Sequence, residues 1–244
     1  TSATSSGVWQ VRYGGPRGEE TDCRATLVVS ADGCRSILIS PPQWTQQRSD
    51  SIAAIAPLCA IVMPSTSHDV NARAWADKYP SIPVITQDEL VHYAATDRHI
   101  SSEVLAFSSA AAKELLSSVG IVDVVPLGCT TLREDYFVIS LGEERTAVLT
   151  SCGFMNSANS LGNTVMGFGG LRLTRFFALL LVNDIDGAAR VWHDIASVPH
   201  LHAVLFMHGE PLVGSPAAVQ RAVAKARVAD GRHFLIWASQ VSAS

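Results

Sequence analysis

Charge is scarce in this chain, and positive charge scarcer still: 18 Lys and Arg stand against 22 Asp and Glu in 244 residues, a formal net charge of −4. Arg221, Lys225, Arg227 and Arg232 form the one basic cluster, with no aromatics interleaved beyond Phe234 and Trp237. A solvated helix face accounts for it, and nucleic acid is not expected as a partner. No apolar run approaches the roughly 20 residues of a membrane span; the longest is 176–182. No membrane association is therefore expected, and nothing at the amino end reads as a signal peptide. Cys23, Cys34, Cys59, Cys129 and Cys152 are odd in number and contain no CxxC. That usage fits reduced thiols in an intracellular, cytoplasmic setting and argues against a disulfide framework. A linker of charged, Pro-rich or Gly/Ser-rich composition is also missing, so one domain is expected over 8–240, behind a flexible segment at 1–7. What the chain has instead is apolar residues, 48% of the total, enough for burial alone to hold a core.

The periodicities place elements of both kinds. Two β-prone runs at 26–30 and 36–40 flank Ala31-Asp32-Gly33-Cys34, and an Asp-Gly pair in that position signals a hairpin. Pro41-Pro42 ends the second run, and Asp50 is the expected cap of a short helix with Ile52, Ile55 and Ala56 on one face. A strand-length apolar run then leads into Met63-Pro64-Ser65-Thr66-Ser67-His68-Asp69, followed by a helix over 71–79 whose Ala72, Trp75, Ala76 and Tyr79 share a stripe. Another strand is expected at 84–86, whereas 88–118 is helical in composition but poorly periodic. Strands at 122–126, 136–140 and 146–150 predict a second meander. The Gly-, Asn- and Ser-rich stretch 152–170 has the composition of a connection or lid. Helices are expected at 173–182 and 187–197, a buried strand at 203–207, and a helix opening at Ser215-Pro216. A strand or helix continuation is expected at 234–237.

The stretch from Ser65 to Asp69 lies at the mouth of a strand-to-helix turn, where α/β proteins place their chemistry. From there the order of motifs resembles the metallo-β-lactamase-like hydrolase superfamily, and more closely a group of its uncharacterised members with depleted metal motifs. The resemblance spans about Arg24 to Arg227. The family motif His-x-His-x-Asp-His falls on Ser65-Thr66-Ser67-His68-Asp69-Val70, so that only Asp69 is kept. Pro126-Leu127-Gly128-Cys129-Thr130 matches the Pro-Gly-His-Thr turn with Cys129 at the His. Ala147 to Cys152 has the form of the strand that ends in an acidic ligand, with Cys152 in its place. Leu205-Phe206-Met207-His208-Gly209-Glu210-Pro211 fits the late strand ending in His-Gly.

The resemblance implies an αββα four-layer sandwich, with two mixed sheets and helices on both outer faces. It also implies a site. A dinuclear zinc centre takes about five His and two Asp, and neither a hydroxyl nor an alkyl group replaces an imidazole donor. Ser65, Ser67 and Val70 therefore imply that the dinuclear centre is lost. Asp69, Cys152 and His208, with Cys129 as a fourth candidate, remain as possible ligands of one zinc ion; Ser65, Ser67, His68 and Glu210 would line the pocket. Three protein ligands and a water make an open site of the catalytic type, and four a closed structural one. Two functions follow as alternatives. One is a catalytically impaired protein that binds a small molecule or protein partner in the former pocket, with no cofactor. The other is a mononuclear zinc hydrolase using Asp69, Cys152 and His208, for which His68 is a candidate general base. The ordinary readings are a helix cap for Asp69, a buried thiol for Cys152 and a satisfied core histidine for His208. A Cys152 nucleophile with His208 as its base is a further alternative.

Overall fold

A computed structural model describes residues 7–13, 23–157, 170–173 and 182–226. Residues 1–6, nearly all of the expected helix at 173–182, most of 152–170 and the element at 234–237 lie outside the described residues.

The chain divides into two compact units, one of residues 1–125 with 137–145 and the other of 126–136 with 146–244. In the first unit, β1 (Gly7–Tyr13), β2 (Cys23–Val29), β3 (Ser36–Ile39), β4 (Leu58–Met63), β5 (Val84–Thr86) and β6 (Val104–Ala106) form a six-stranded sheet in that order. The first three pair antiparallel and the rest parallel. The hairpin between β2 and β3 forms as expected, with Gly33 at φ 71°, a backbone region that an L side chain resists. Ile37, Leu38, Ile39, Ile61 and Val62 are almost wholly buried, which is why these strands read as unbroken apolar runs rather than alternating ones.

Helix α1 (Gln46–Ala53) starts earlier than expected: Thr45, not Asp50, is its cap, its hydroxyl accepting the Arg48 N–H at 3.2 Å. Asp50 instead accepts from the Gln46 side chain at 2.8 Å. Helix α2 (Ala72–Lys78) follows the expected stripe. Its Trp75 is fully buried, stacks on Tyr79 at 6.0 Å and donates Nε1–H to the Pro42 carbonyl at 2.7 Å, so the indole is buried without stranding its polar atom. The irregular stretch after β5 resolves into a 3-10 turn (Asp88–Leu90), α3 (Val91–Thr96), β6 and α4 (Ala110–Ser118). These pieces are too short to establish a period.

A second sheet has five strands, β7 (Ile121–Pro126), β8 (Asp135–Gly142), β9 (Arg145–Thr150), β12 (Leu201–Phe206) and β13 (Leu212–Val213), in the order β13-β12-β9-β8-β7. β12 is parallel to β9 and antiparallel to β13, so both sheets are mixed. In the second unit the two ends of the expected lid segment pair with each other, β10 (Phe154–Ser157) against β11 (Gly170–Leu173). Helix α5 (Ile185–Ser197) is capped by Asp184, which accepts the Gly187 N–H at 2.9 Å. Its Trp192 meets Phe154 edge to face at 4.6 Å. Helix α6, over 216–226, buries Val219, Val223 and Ala226. Among the described residues no helix is long and apolar enough to cross a membrane.

Candidate functional site

β4 ends in a turn that buries Ser65, His68 and Asp69 and leaves Ser67 exposed. Ser65 is fully buried and its hydroxyl bonds the Ser67 hydroxyl at 2.8 Å. His68 is also buried, its N–H bonded to the Ser65 carbonyl at 3.3 Å. Its Nδ1 shares a 2.7 Å hydrogen bond with Ser40 Oγ, which lies 3.2 Å from the Tyr13 hydroxyl. This chain of hydroxyls fixes the imidazole ring through Nδ1, the arrangement by which an outer hydrogen bond orients a histidine ring.

Asp69 is not the cap of α2. Its backbone carbonyl accepts the Ala72 N–H at 3.0 Å, while its fully buried carboxylate turns to α3 and the segment after it. Oδ2 accepts from Tyr93 Oη and from Arg98 Nε, each at 2.7 Å. Oδ1 is buried without a hydrogen-bond partner. Desolvation first, and then the neighbouring carboxylate, raise the Tyr93 hydroxyl above its ordinary pKa, so it stays a donor to Asp69. Val70 is exposed.

Parallel pairing sets Cys152 beside His208. In the register of β9 and β12, Thr150 lies opposite Phe206; Cys152 and His208 each come two residues later, so both chains leave the same end of the sheet in step. The result is a 3.4 Å separation between Cys152 Sγ and His208 Nε2. Each turn has its own anchor. The Cys152 N–H donates to Glu134 Oε1 at 3.1 Å. After His208, Gly209 at φ 91° passes so close to Asn156 that a Cβ there would lie 2.5 Å from the Asn156 carbonyl oxygen. Glu210, otherwise exposed, donates its N–H to that same oxygen at 2.7 Å.

Cys129 belongs to the start of α5: its carbonyl accepts the Asn183 N–H at 3.0 Å. Burial first, with Glu134 and Asp184 acting in the same direction, raises its thiol to about 11, so at neutral pH the sulfur is protonated. Glu134 is 1% exposed. Desolvation raises its carboxyl to about 7, against the opposing pull of the Cys152 N–H.

Within the second unit Cys152 and His208 are thus paired potential metal donors, and His68 is a potential donor of the first unit. Of the other expected ligands, Asp69 is engaged by Tyr93 and Arg98, and Cys129 by the start of α5. Sequence reasoning missed Ser40, Tyr93, Arg98 and Glu134. No local signal marks the first three, and Glu134 sits in the polar run Arg133-Glu134-Asp135, which reads as a solvated turn.

The chain matches no family model and no curated protein by sequence. Its fold, however, recurs in solved structures. The DIM-1 metallo-β-lactamase exposed to ceftazidime superposes with a TM-score of 0.58 at 14% identity, over 94% of this chain and 95% of that one. VMB-1 gives 0.58 at 13% identity, over 95% and 96%. The metallo-β-lactamase FIM-1 from Pseudomonas aeruginosa, in its mono-zinc form, gives 0.54 at 16% identity, over 91% of both chains. The fold is that of the metallo-β-lactamases, as the motif order implied. At these identities the likeness speaks for architecture alone.

Proposed function

We propose that this protein is a metallo-β-lactamase-fold hydrolase that holds one zinc ion through Cys152 and His208, in place of a dinuclear centre. The observation that carries the reading is the 3.4 Å separation of Cys152 Sγ and His208 Nε2. Donors bound tetrahedrally at zinc distances stand roughly 3.3–3.6 Å apart, so the thiolate and imidazole fit one ion with little rearrangement. A sulfur and a nitrogen donor also favour zinc over the hard, oxygen-seeking cations. Zinc bound there would supply a Lewis acid able to polarise a carbonyl. The protein's own contribution is orientation. Glu134 holds the Cys152 backbone, and the Gly209–Asn156 contact holds the turn that carries His208.

A second reading is a binding protein without turnover, which takes a small molecule in the same pocket. It draws support from Asp69, whose carboxylate is occupied by Arg98 and Tyr93, and from serines at two positions where the resemblance calls for histidine. Metal analysis of protein purified with neither added zinc nor chelator tests the first reading. We expect about one zinc per chain, lost in Cys152→Ser and in His208→Ala while both variants remain folded. Zinc-replete protein that binds no metal would overturn it. If metal binds, assay of amide, ester and thioester probes separates the two readings, since hydrolysis that disappears with the zinc excludes the second.

A further inference from the structure

The two larger sheets end in four edge strands, and three of them are blunted. β6 has three residues and β13 two, too few to template another strand. β7 carries an exposed Asp123 in its middle and closes on Pro126, and charges and prolines are the means by which natural sheets keep their edges from pairing. β1 lacks both devices at its centre. It runs seven residues with no acid and no proline, its single charge is Arg12 near one end, and among the described residues it pairs on one side only, with β2. Its Trp9 and Val11 are 41% and 47% exposed. They stand opposite Leu27 and Ala25, which belong to the buried cluster that also holds Ile52 of α1 and Trp75 of α2. The apolar layer that the helices cover over β2 thus continues onto β1 without that cover. The Trp9 ring lies along its own strand, where a Cβ on Gly7 would stand, so a larger residue at position 7 would block the pose.

The sequence of β1 is complementary to itself. An antiparallel partner related by a twofold axis at Gln10 sets Trp9 against Val11 of the second copy, Val8 against Arg12 and Gly7 against Tyr13. Trp9 with Val11 is a favourable aromatic-to-β-branched cross-strand pair, and the symmetry forms it twice. The charges agree with the same axis. Each Arg12 faces Val8, and the two arginines stand four positions apart along the strands, about 14 Å, beyond the screening length of about 8 Å at physiological salt. We propose that β1 is a self-association edge, through which two copies of this chain pair antiparallel about Gln10 and join their six-stranded sheets into one. Stable interfaces bury roughly 800 Å² per partner. A single seven-residue strand falls below that, so the dimer is a weak one, with a Kd of about 10–100 µM.

Sedimentation velocity on the full chain from about 1 to about 300 µM tests this, with a reversible monomer–dimer equilibrium expected. Val11→Lys puts a charge opposite Trp9, as protected edges do, and is expected to raise the Kd at least about tenfold with the circular dichroism spectrum unchanged. Register is read by cross-linking in a Cys34→Ser background, which removes the exposed native thiol. Gln10→Cys places the two new thiols on the axis, at a Cα separation of about 4.5–5.5 Å that a disulfide spans. Val8→Cys holds them about 14 Å apart. Mild oxidation is expected to link the first variant and not the second. Protein that stays monomeric to about 300 µM overturns the proposal. So does a dimer that Val11→Lys leaves unchanged, or one that links no faster through position 10 than through position 8.

Discussion

Of the three carboxylates buried among the described residues, Asp69 and Glu134 meet burial differently. Asp69 has a guanidinium and a phenol on one oxygen, each at 2.7 Å. Glu134 has no cation among the described residues, only neutral donors, the Cys152 N–H at 3.1 Å foremost. Each leaves its second oxygen without a hydrogen-bond partner, so the contrast lies in the compensating charge. An ion pair lets a buried carboxylate keep its charge; neutral donors do not offset desolvation here, and Glu134 is pushed toward neutrality. One carboxylate is thus a fixed anion that anchors a cation, and the other a proton-holding group behind a cysteine.

The largest expected effect tests the Glu134 side of this contrast. Its carboxyl moves from 4.5 to about 7, so the folded state holds a proton that the unfolded state has released. The associated stability is fully present below about pH 4.5 and is lost as pH rises through about 7, a change of about 3 kcal/mol. Urea unfolding across that range in metal-free protein is expected to show stability falling with pH in the parent but not in Glu134→Gln; equal slopes would remove Glu134 as the source. Next comes Arg98→Met, which strands the Asp69 charge. Breaking a fully buried pair costs about 3–5 kcal/mol, and with a third of Arg98 in water we expect about 2 kcal/mol by urea unfolding at neutral pH. No loss at all would mean that Asp69 needs no cation and would erase the contrast. The smallest is Tyr93→Phe, which removes one neutral donor to Asp69 and is expected to cost about 1 kcal/mol by the same measurement.

Much of the scaffold was legible because its signals are local. Asp32-Gly33 announced a hairpin, the spacing of Ala72, Trp75 and Ala76 announced α2, and the apolar runs before Ser65, Cys152 and His208 announced the three strands that deliver the site. The cap of α1 was misplaced because Asp50 is as good a cap residue as Thr45 on chemistry alone, and only the hydrogen bond to Arg48 decides between them. The edge strand β1 escaped notice because its Trp9 and Val11 are exposed, so no apolar run marks it. Arg98 was hidden for another reason. Its partner is 29 residues away, across a stretch of short elements with no dominant period.

The sequence by itself determined the order of strands and helices and the chemical kinds of donor at their ends: serines where histidines stand in the resembling family, a cysteine where an aspartate stands, and a late His-Gly. These follow from residue type and near-neighbour spacing, which a linear chain displays. Only the tertiary structure decided which donors meet. The parallel register of β9 and β12 set Cys152 against His208, the Ser40 hydroxyl turned His68 from a pocket residue into an oriented donor, and Arg98 and Tyr93 claimed Asp69. Each of those outcomes depends on pairing between distant segments and on the desolvation that pairing imposes. Burial, unlike spacing, belongs to the folded chain, which is why the carboxylate that looked like a ligand became an anchor and the one that looked solvated became the buried acid.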